Sequence, residues 1–254
     1  MGQLGGSFVR RLILHIGLAA AMVWMLYGGI SGLAGTANAH ASDGALKIVI
    51  IVPAHRLYLY KNNQLVETYP VAVGKPATKS PRGEYYITQK AIWGDGFGTR
   101  WMRISVPWGI YGIHGTNKPW SVGTVASHGC FRMLNKNVEQ LYSMVSVGTP
   151  VIIEGPTPFT AIRRPLEPGN IGQDVVELQR LLRLARVYQG TLSGVYSADV
   201  EKAVAKFQTM ATLPSTGAAT LETVKKLQEY THQAGLKPGY LYEPPENKAP
   251  SAAQ

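Results

Sequence analysis

A mainly β domain carrying one short helix, followed by a small all-α domain of three helices, is the fold class the sequence predicts. Three observations lead there. Between residues 46 and 154 the apolar residues come in short runs rich in Val, Ile, Tyr and Leu, separated by Gly and Asn turns, the pattern of successive strands. A Pro- and Gly-rich stretch interrupts the pattern after residue 154. Beyond it, apolar residues recur at helical spacing.

The chain has 254 residues, enough for two modest domains. Hydrophobic residues make up 45% and charged residues 16%, so there is apolar surface for a core and disorder is not the default. The formal net charge of +10 suits a nucleic acid, an anionic membrane or an anionic polymer, and charge alone does not choose among them. Cys130 is the single cysteine, which excludes an intramolecular disulfide and any multi-cysteine zinc framework.

At the N-terminus, Arg10 and Arg11 precede an apolar run from Leu12 to Leu33. Small residues follow at Ala37-Asn38-Ala39 and Ala39-His40-Ala41. The order of basic start, apolar middle and small-x-small exit is that of a signal peptide, while the length of the run also suits an uncleaved membrane anchor. Under either reading the chain after residue 41 is exported.

Strands are expected at 46–52, 56–60 and 64–73 as a meander, with Asn62-Asn63 in a tight turn that accepts positive φ. Further strands are expected at 84–89, 101–106, 112–113 and 150–154, with a Gly-rich turn at 93–98. Asn135 is placed to cap a helix over 136–145, whose Val138, Leu141 and Tyr142 share a face. Helices are expected over 174–186, 197–208 and 220–230. They share the repeat Val175-x-x-Leu178-Gln179, Val204-x-x-Phe207-Gln208 and Val224-x-x-Leu227-Gln228, read here as a common packing device.

The segment most informative about chemistry runs from Ile113-His114-Gly115-Thr116 to Ser127-His128-Gly129-Cys130-Phe131-Arg132. A thiol attacks carbonyls as thiolate, so a catalytic cysteine calls for an imidazole or positive charge that lowers its pKa. On a strand His128 and Arg132 would share a face with Cys130. His114, sixteen residues upstream, can approach from an adjacent strand and is the better general base. Gly129 permits a turn aiming the N–H groups of Gly129 and Cys130 at a developing oxyanion. With no carboxylate close by, a backbone carbonyl such as that of Gly115 has to orient His114. Two other readings stay open on the residues alone: an inert buried cysteine, and a zinc site of His114, His128 and Cys130.

These residues closely resemble the L,D-transpeptidase catalytic domain, or YkuD domain, marked by an upstream His-Gly and a downstream Ser-His-Gly-Cys-x-Arg. The resemblance covers roughly 47–154 and includes Ser80-Pro81-x-Gly83, with Ser for the family's Thr, and Val147-Gly148-Thr149-Pro150-Val151. It implies a β-sandwich with a short helix. It further implies Cys130 as nucleophile and His114 as base, with the backbone of His128, Gly129 and Cys130 at the oxyanion and Ser127, Arg132 and Gly115 shaping the pocket. Phe131 stands where the family commonly has Ile or Val. The activity implied is acyl transfer from a peptidoglycan tetrapeptide stem through a thioester to an acceptor amine, without metal or cofactor. Alternatives are an L,D-carboxypeptidase and a non-catalytic wall-binding protein.

Residues 166–230 resemble a three-helix peptidoglycan-binding domain through Leu166-x-Pro168-Gly169-x-x-Gly172-x-x-Val175-x-x-Leu178-Gln179, with the usual Asp-Gly turns altered to Ser193-Gly194 and Thr216-Gly217. The expected organisation is therefore a signal peptide or anchor at 1–41, a catalytic domain at 46–155, a linker at 156–165, a peptidoglycan-binding-like domain at 166–232 and a tail at 233–254. The partners implied are peptidoglycan stem peptides and glycan, with no nucleic acid and membrane contact only through the N-terminal segment. A monomer in the cell wall or periplasm is expected.

Overall fold

The structure is a computed structural model that describes residues 45–156 and 158–234. The expected signal or anchor segment lies outside the described residues, as does the tail from 235 onward. Ten strands form the first domain: β1 (Leu46–Ile51), β2 (Arg56–Lys61), β3 (Gln64–Pro70), β4 (Val73–Gly74), β5 (Gly83–Ala91), β6 (Trp101–Ile104), β7 (Tyr111–His114), β8 (Val125–Ser127), β9 (Phe131–Arg132) and β10 (Pro150–Glu154). Helix α1 (Asn135–Met144) belongs to the same domain, and α2 (Gln173–Leu184), α3 (Ala198–Met210) and α4 (Leu221–Gln233) make up the second.

Eight strands hydrogen-bond in the order β3-β2-β1-β10-β5-β6-β7-β9, with β4 and β8 paired separately. The meander β1-β2-β3 turns through Asn62 and Asn63, at φ 52° and 63°, the geometry of a two-residue hairpin loop that follows the strand twist. Strand β5 belongs to both halves of the sheet: Gly83–Tyr86 pair with β10, and Ile87–Ala91 pair with β6 across a bulge. The sheet curls there, as bulged strands do. Ile48, Ile50, Leu57 and Leu59 from one half then meet Met102, Ile104, Ile113 and Phe131 from the other in one buried cluster, so the curled sheet packs as a sandwich. Val138 and Leu141 of α1 join that cluster.

The strand expected over 64–73 is interrupted. It ends at Pro70, which has no N–H to continue a ladder. The chain then crosses to the far edge of the sheet. There Ala72 exchanges both backbone hydrogen bonds with Arg132, at 2.8 and 3.2 Å. Strand β9 is thus flanked by β7 on one side and by this returning segment on the other.

Asn135 does not cap α1: Leu134 occupies the cap position without a side-chain bond, and the Asn135 side chain is used elsewhere, as described below. At the other end of α1, Lys90 Nζ donates to the carbonyls of Tyr142 and Val145 at 2.7 and 2.6 Å. A cation on the last carbonyls suits the helix dipole.

In the helical domain the repeated glutamine has a definite task. Gln179 Oε1 accepts from Gly194 N at 2.8 Å while its Nε2 donates to Val195 O at 3.1 Å. Gln208 does the same to the next turn, with Gly217 N at 3.0 Å and Ala218 O at 2.8 Å. Both glutamines are buried, and Gln228, third in the repeat, is exposed. Ser193 Oγ and Thr216 Oγ1 accept the N–H groups of Val195 and Ala218, each at 3.3 Å, so a hydroxyl replaces the carboxylate that an Asp-Gly turn would offer. Gln179→Leu strands a buried N–H and C=O together. It is expected to destabilise the helical domain by about 2–4 kcal/mol, against about 0.5 kcal/mol or less for Gln228→Leu, read by denaturant unfolding.

The segment expected as a linker is largely folded onto the helices. Ile162 is buried in their core with Phe159 packed against it, and Phe159 N donates to Glu177 Oε2 at 3.0 Å. The two domains are also joined directly. Arg183 makes a two-pronged ion pair with Glu84 at 2.6 and 2.8 Å, and Glu84 and Leu192 exchange bonds through Glu84 N and Leu192 N. Trp108 packs against both cores. Burial pushes the Glu84 carboxyl up, but the Arg183 and Leu192 hydrogen bonds and the Arg183 charge outweigh it and leave it below its ordinary value.

Candidate active site

The chemistry gathers where β7 and β9 run parallel at one end of the sheet. Ile113 pairs with Phe131 and His114 with Arg132. Ile113 and Phe131 point into the core, both fully buried. Side chains alternate along a strand, so His114 and Arg132 lie on the opposite face, and Cys130 immediately precedes β9. Gly112 lies two residues before His114, and a Cβ there would meet the Trp101 indole at 2.6 Å.

His114 is only 3% exposed. Phe97 approaches its ring edge-on at 5.1 Å and Trp101 lies tilted at 5.5 Å, with Trp93 stacked on Trp101 at 4.8 Å. Its Nδ1 lies 2.5 Å from Gly115 O. A carbonyl can only accept, so the proton sits on Nδ1 and Nε2 carries the lone pair. Burial lowers the His114 pKa to about 4; the Gly115 and Phe97 backbone contacts oppose the shift and the Arg132 charge reinforces it. The imidazole is neutral at physiological pH.

The thiol departs from the expectation of a lowered pKa. Burial pushes Cys130 up, with the Gly112 backbone and the Arg132 charge opposing. In the resting fold the thiol donates to Ile110 O at 4.0 Å and the imidazole is neutral, a state that suits proton removal during attack more than a preformed thiolate.

The turn ahead of the cysteine also differs from the strand alternation expected for it. Gly129 has φ +118°, and a Cβ there would meet Tyr111 Cε1 at 2.7 Å, so both backbone and space demand glycine. The turn sends the His128 side chain to solvent. Ser127, fully buried, holds the turn: its Oγ accepts from Gly129 N at 3.0 Å and donates to Cys130 O at 2.6 Å. The Gly129 N–H, expected at the oxyanion, is thus engaged by Ser127 in the resting fold. Among the described residues, no group of three or more His, Cys, Asp or Glu side chains is placed to share a metal ion, so the residues of the zinc reading do not assemble.

Residues 46–153 match the family described as L,D-transpeptidase catalytic domain, and residues 171–227 match the family described as "Putative peptidoglycan binding domain". The Bacillus subtilis protein "Putative L,D-transpeptidase YkuD" is 46% identical over 107 residues, 42% of this chain and 64% of that protein. A second Bacillus subtilis protein, "Putative L,D-transpeptidase YqjB", is 34% identical over 122 residues, 42% of this chain and 69% of that protein. The chain belongs to the L,D-transpeptidase family. It spans a little under two thirds of the first relative's length. An L,D-transpeptidase structure from Mycobacterium smegmatis aligns at 25% identity and TM-score 0.39, covering 43% of this chain and 58% of that one.

Within this L,D-transpeptidase domain, the His-Gly and Ser-His-Gly-Cys-x-Arg residues come together at one place, apart from the outward His128 side chain. Sequence reading missed three neighbours of the site. Tyr111 walls the Gly129 turn, Gly112 supports the sulfur through its backbone, and Asn135 binds the segment after His114. Tyr111 also lines a cleft of about 230 Å³ that Arg82 shares with Phe159 and Gln173.

Proposed function

We propose that the chain is an exported acyltransferase that cross-links peptidoglycan through a Cys130 thioester. The observation that carries this reading is the pairing of His114 with Arg132, two residues after Cys130, with the His114 proton on the Gly115 side. His114 Nε2 takes the thiol proton as sulfur attacks the carbonyl of the third stem residue. The tetrahedral intermediate collapses, the C–N bond to the terminal D-alanine breaks, and the proton leaves with that amine. An amine of a second stem then attacks the thioester and releases the thiol. With Gly129 N–H engaged by Ser127, the His128 and Cys130 N–H groups are the remaining turn donors assigned to the oxyanion. Arg132 and Ser127 shape the pocket.

The helical domain is assigned to peptidoglycan binding. The direct join through Glu84–Arg183 and Trp108 would hold such a polymer near the thiol, and tethering raises local substrate concentration. Export through residues 1–41, by cleavage or as an anchor, would place the enzyme where that polymer is.

The test is incubation of the chain lacking residues 1–41 with tetrapeptide muropeptides, with products identified by mass spectrometry. Cross-linked dimers with loss of D-alanine are expected. Tripeptides alone would assign water as the acceptor and make the enzyme an L,D-carboxypeptidase, and unchanged muropeptides would leave a wall-binding protein.

A further inference from the structure

We propose that Asn135 is a positioning residue for His114, acting through the Gly115–Thr116 peptide to hold the imidazole in the tautomer that serves Cys130. The proposal rests on His114 as the base and concerns how that base is oriented.

Asn135 Oδ1 accepts from Thr116 N at 3.0 Å and from Thr99 N at 3.4 Å. Two backbone N–H groups converge on this atom, which identifies it as the carbonyl oxygen of the side-chain amide. Thr116 N–H and Gly115 C=O are opposite ends of one planar peptide. The carbonyl end meets His114 Nδ1 at 2.5 Å. The result is a continuous chain from Asn135 Oδ1 through the peptide to the imidazole. Each link polarises the next, so accepting at the N–H strengthens the carbonyl as an acceptor. An amide relay thus stands where other nucleophile–histidine sites use a carboxylate.

The packing around Asn135 fits this one placement. A Cβ on either Gly98 or Gly115 would lie 2.2 Å from Asn135 Oδ1, so the amide reaches the two N–H groups only because both neighbours are glycine. Asn135 is the first residue of α1 and makes no cap, and it follows Cys130 by five residues. One short segment therefore carries both the nucleophile and the anchor of its base. The elements packed on His114 bring Arg132 and Cys130 at β9, Asp95 on the 95–97 turn, Arg100 and Arg103 at β6 and Lys136 on α1. Of these, Arg132 acts on the imidazole by charge.

Two variants test the proposal, read by carbapenem acylation of Cys130 across pH and by 15N NMR of His114. Asn135→Asp keeps an acceptor for both N–H groups and adds a negative charge one peptide from the imidazole. Its acid limb is expected to move up by about one pH unit. Asn135→Ala removes the acceptor. Its limiting acylation rate is expected to fall about tenfold at an unchanged half-saturating concentration, with the Nδ1–H signal of His114 weakened. Folded variants with the parental acid limb and parental His114 signals would overturn the positioning role while leaving the base intact. A His114→Gln variant that acylates at the parental rate would instead overturn the base reading, and with it any catalytic consequence of Asn135.

Discussion

Cys130→Ala is expected to abolish both carbapenem acylation and release of D-alanine from tetrapeptide muropeptides. Cys130 is the single cysteine of the chain, so no other thiol can form the thioester. Loss of a covalent nucleophile in a site that works as a unit costs on the order of 10³-fold or more in rate. The variant should keep its fold, because the site's frame is made elsewhere: Ser127 Oγ bonds to backbone atoms of Gly129 and Cys130, and β9 is held by Phe131 in the core. The measurement is intact-protein mass after carbapenem exposure, paired with muropeptide product analysis. An adduct on the Ala variant, or turnover equal to the parent's, would remove Cys130 from the mechanism.

His114→Gln is expected to lower the acylation rate by about 10²–10⁴-fold at neutral pH, the contribution of a placed general base. The pH dependence carries more information than the rate. With a folded pKa of about 4, His114 is neutral at physiological pH, and with His114 as the proposed base the parent's activity is expected to fall as pH drops through about 4. In the variant that limb disappears, and residual activity rises only on the alkaline side, where the raised Cys130 thiol ionises. A stability effect accompanies it. The unfolded imidazole binds its proton near its ordinary 6.5 and the folded one only near 4. Stability is therefore complete above 6.5 and is lost as pH falls from there toward 4, by at most about 3 kcal/mol. Urea unfolding at pH 7 and pH 4 should show a smaller difference for His114→Gln than for the parent. Equal differences would mean that His114 is not buried neutral.

The strands and helices were legible because their signals are local. Asn62-Asn63 marks its own turn, and the β1 and β2 runs show their apolar residues directly. The motif residues also placed His114 and the segment after Cys130 on neighbouring strands without coordinates. What local pattern misled was the role of single polar residues. Asn135 has the composition and position of a helix cap, yet its partners are Thr99 and Thr116, 36 and 19 residues away. His128 is spaced to share a face with Cys130, but Gly129 breaks the alternation between them.

Turn chemistry and apolar period depend on residues a few positions apart, so the mainly β and all-α parts of the fold and the family could be read from the order of the residues. The electrostatic state of the site could not. A neutral His114 follows from its burial under Phe97 and Trp101, and a protonated Cys130 from the burial of the thiol. The docking of the helices onto β5 likewise depends on Glu84 meeting Arg183 across 99 residues. Desolvation and long-range hydrogen bonds belong to the space that folding encloses, and only the assembled sheet and helices bring those groups together.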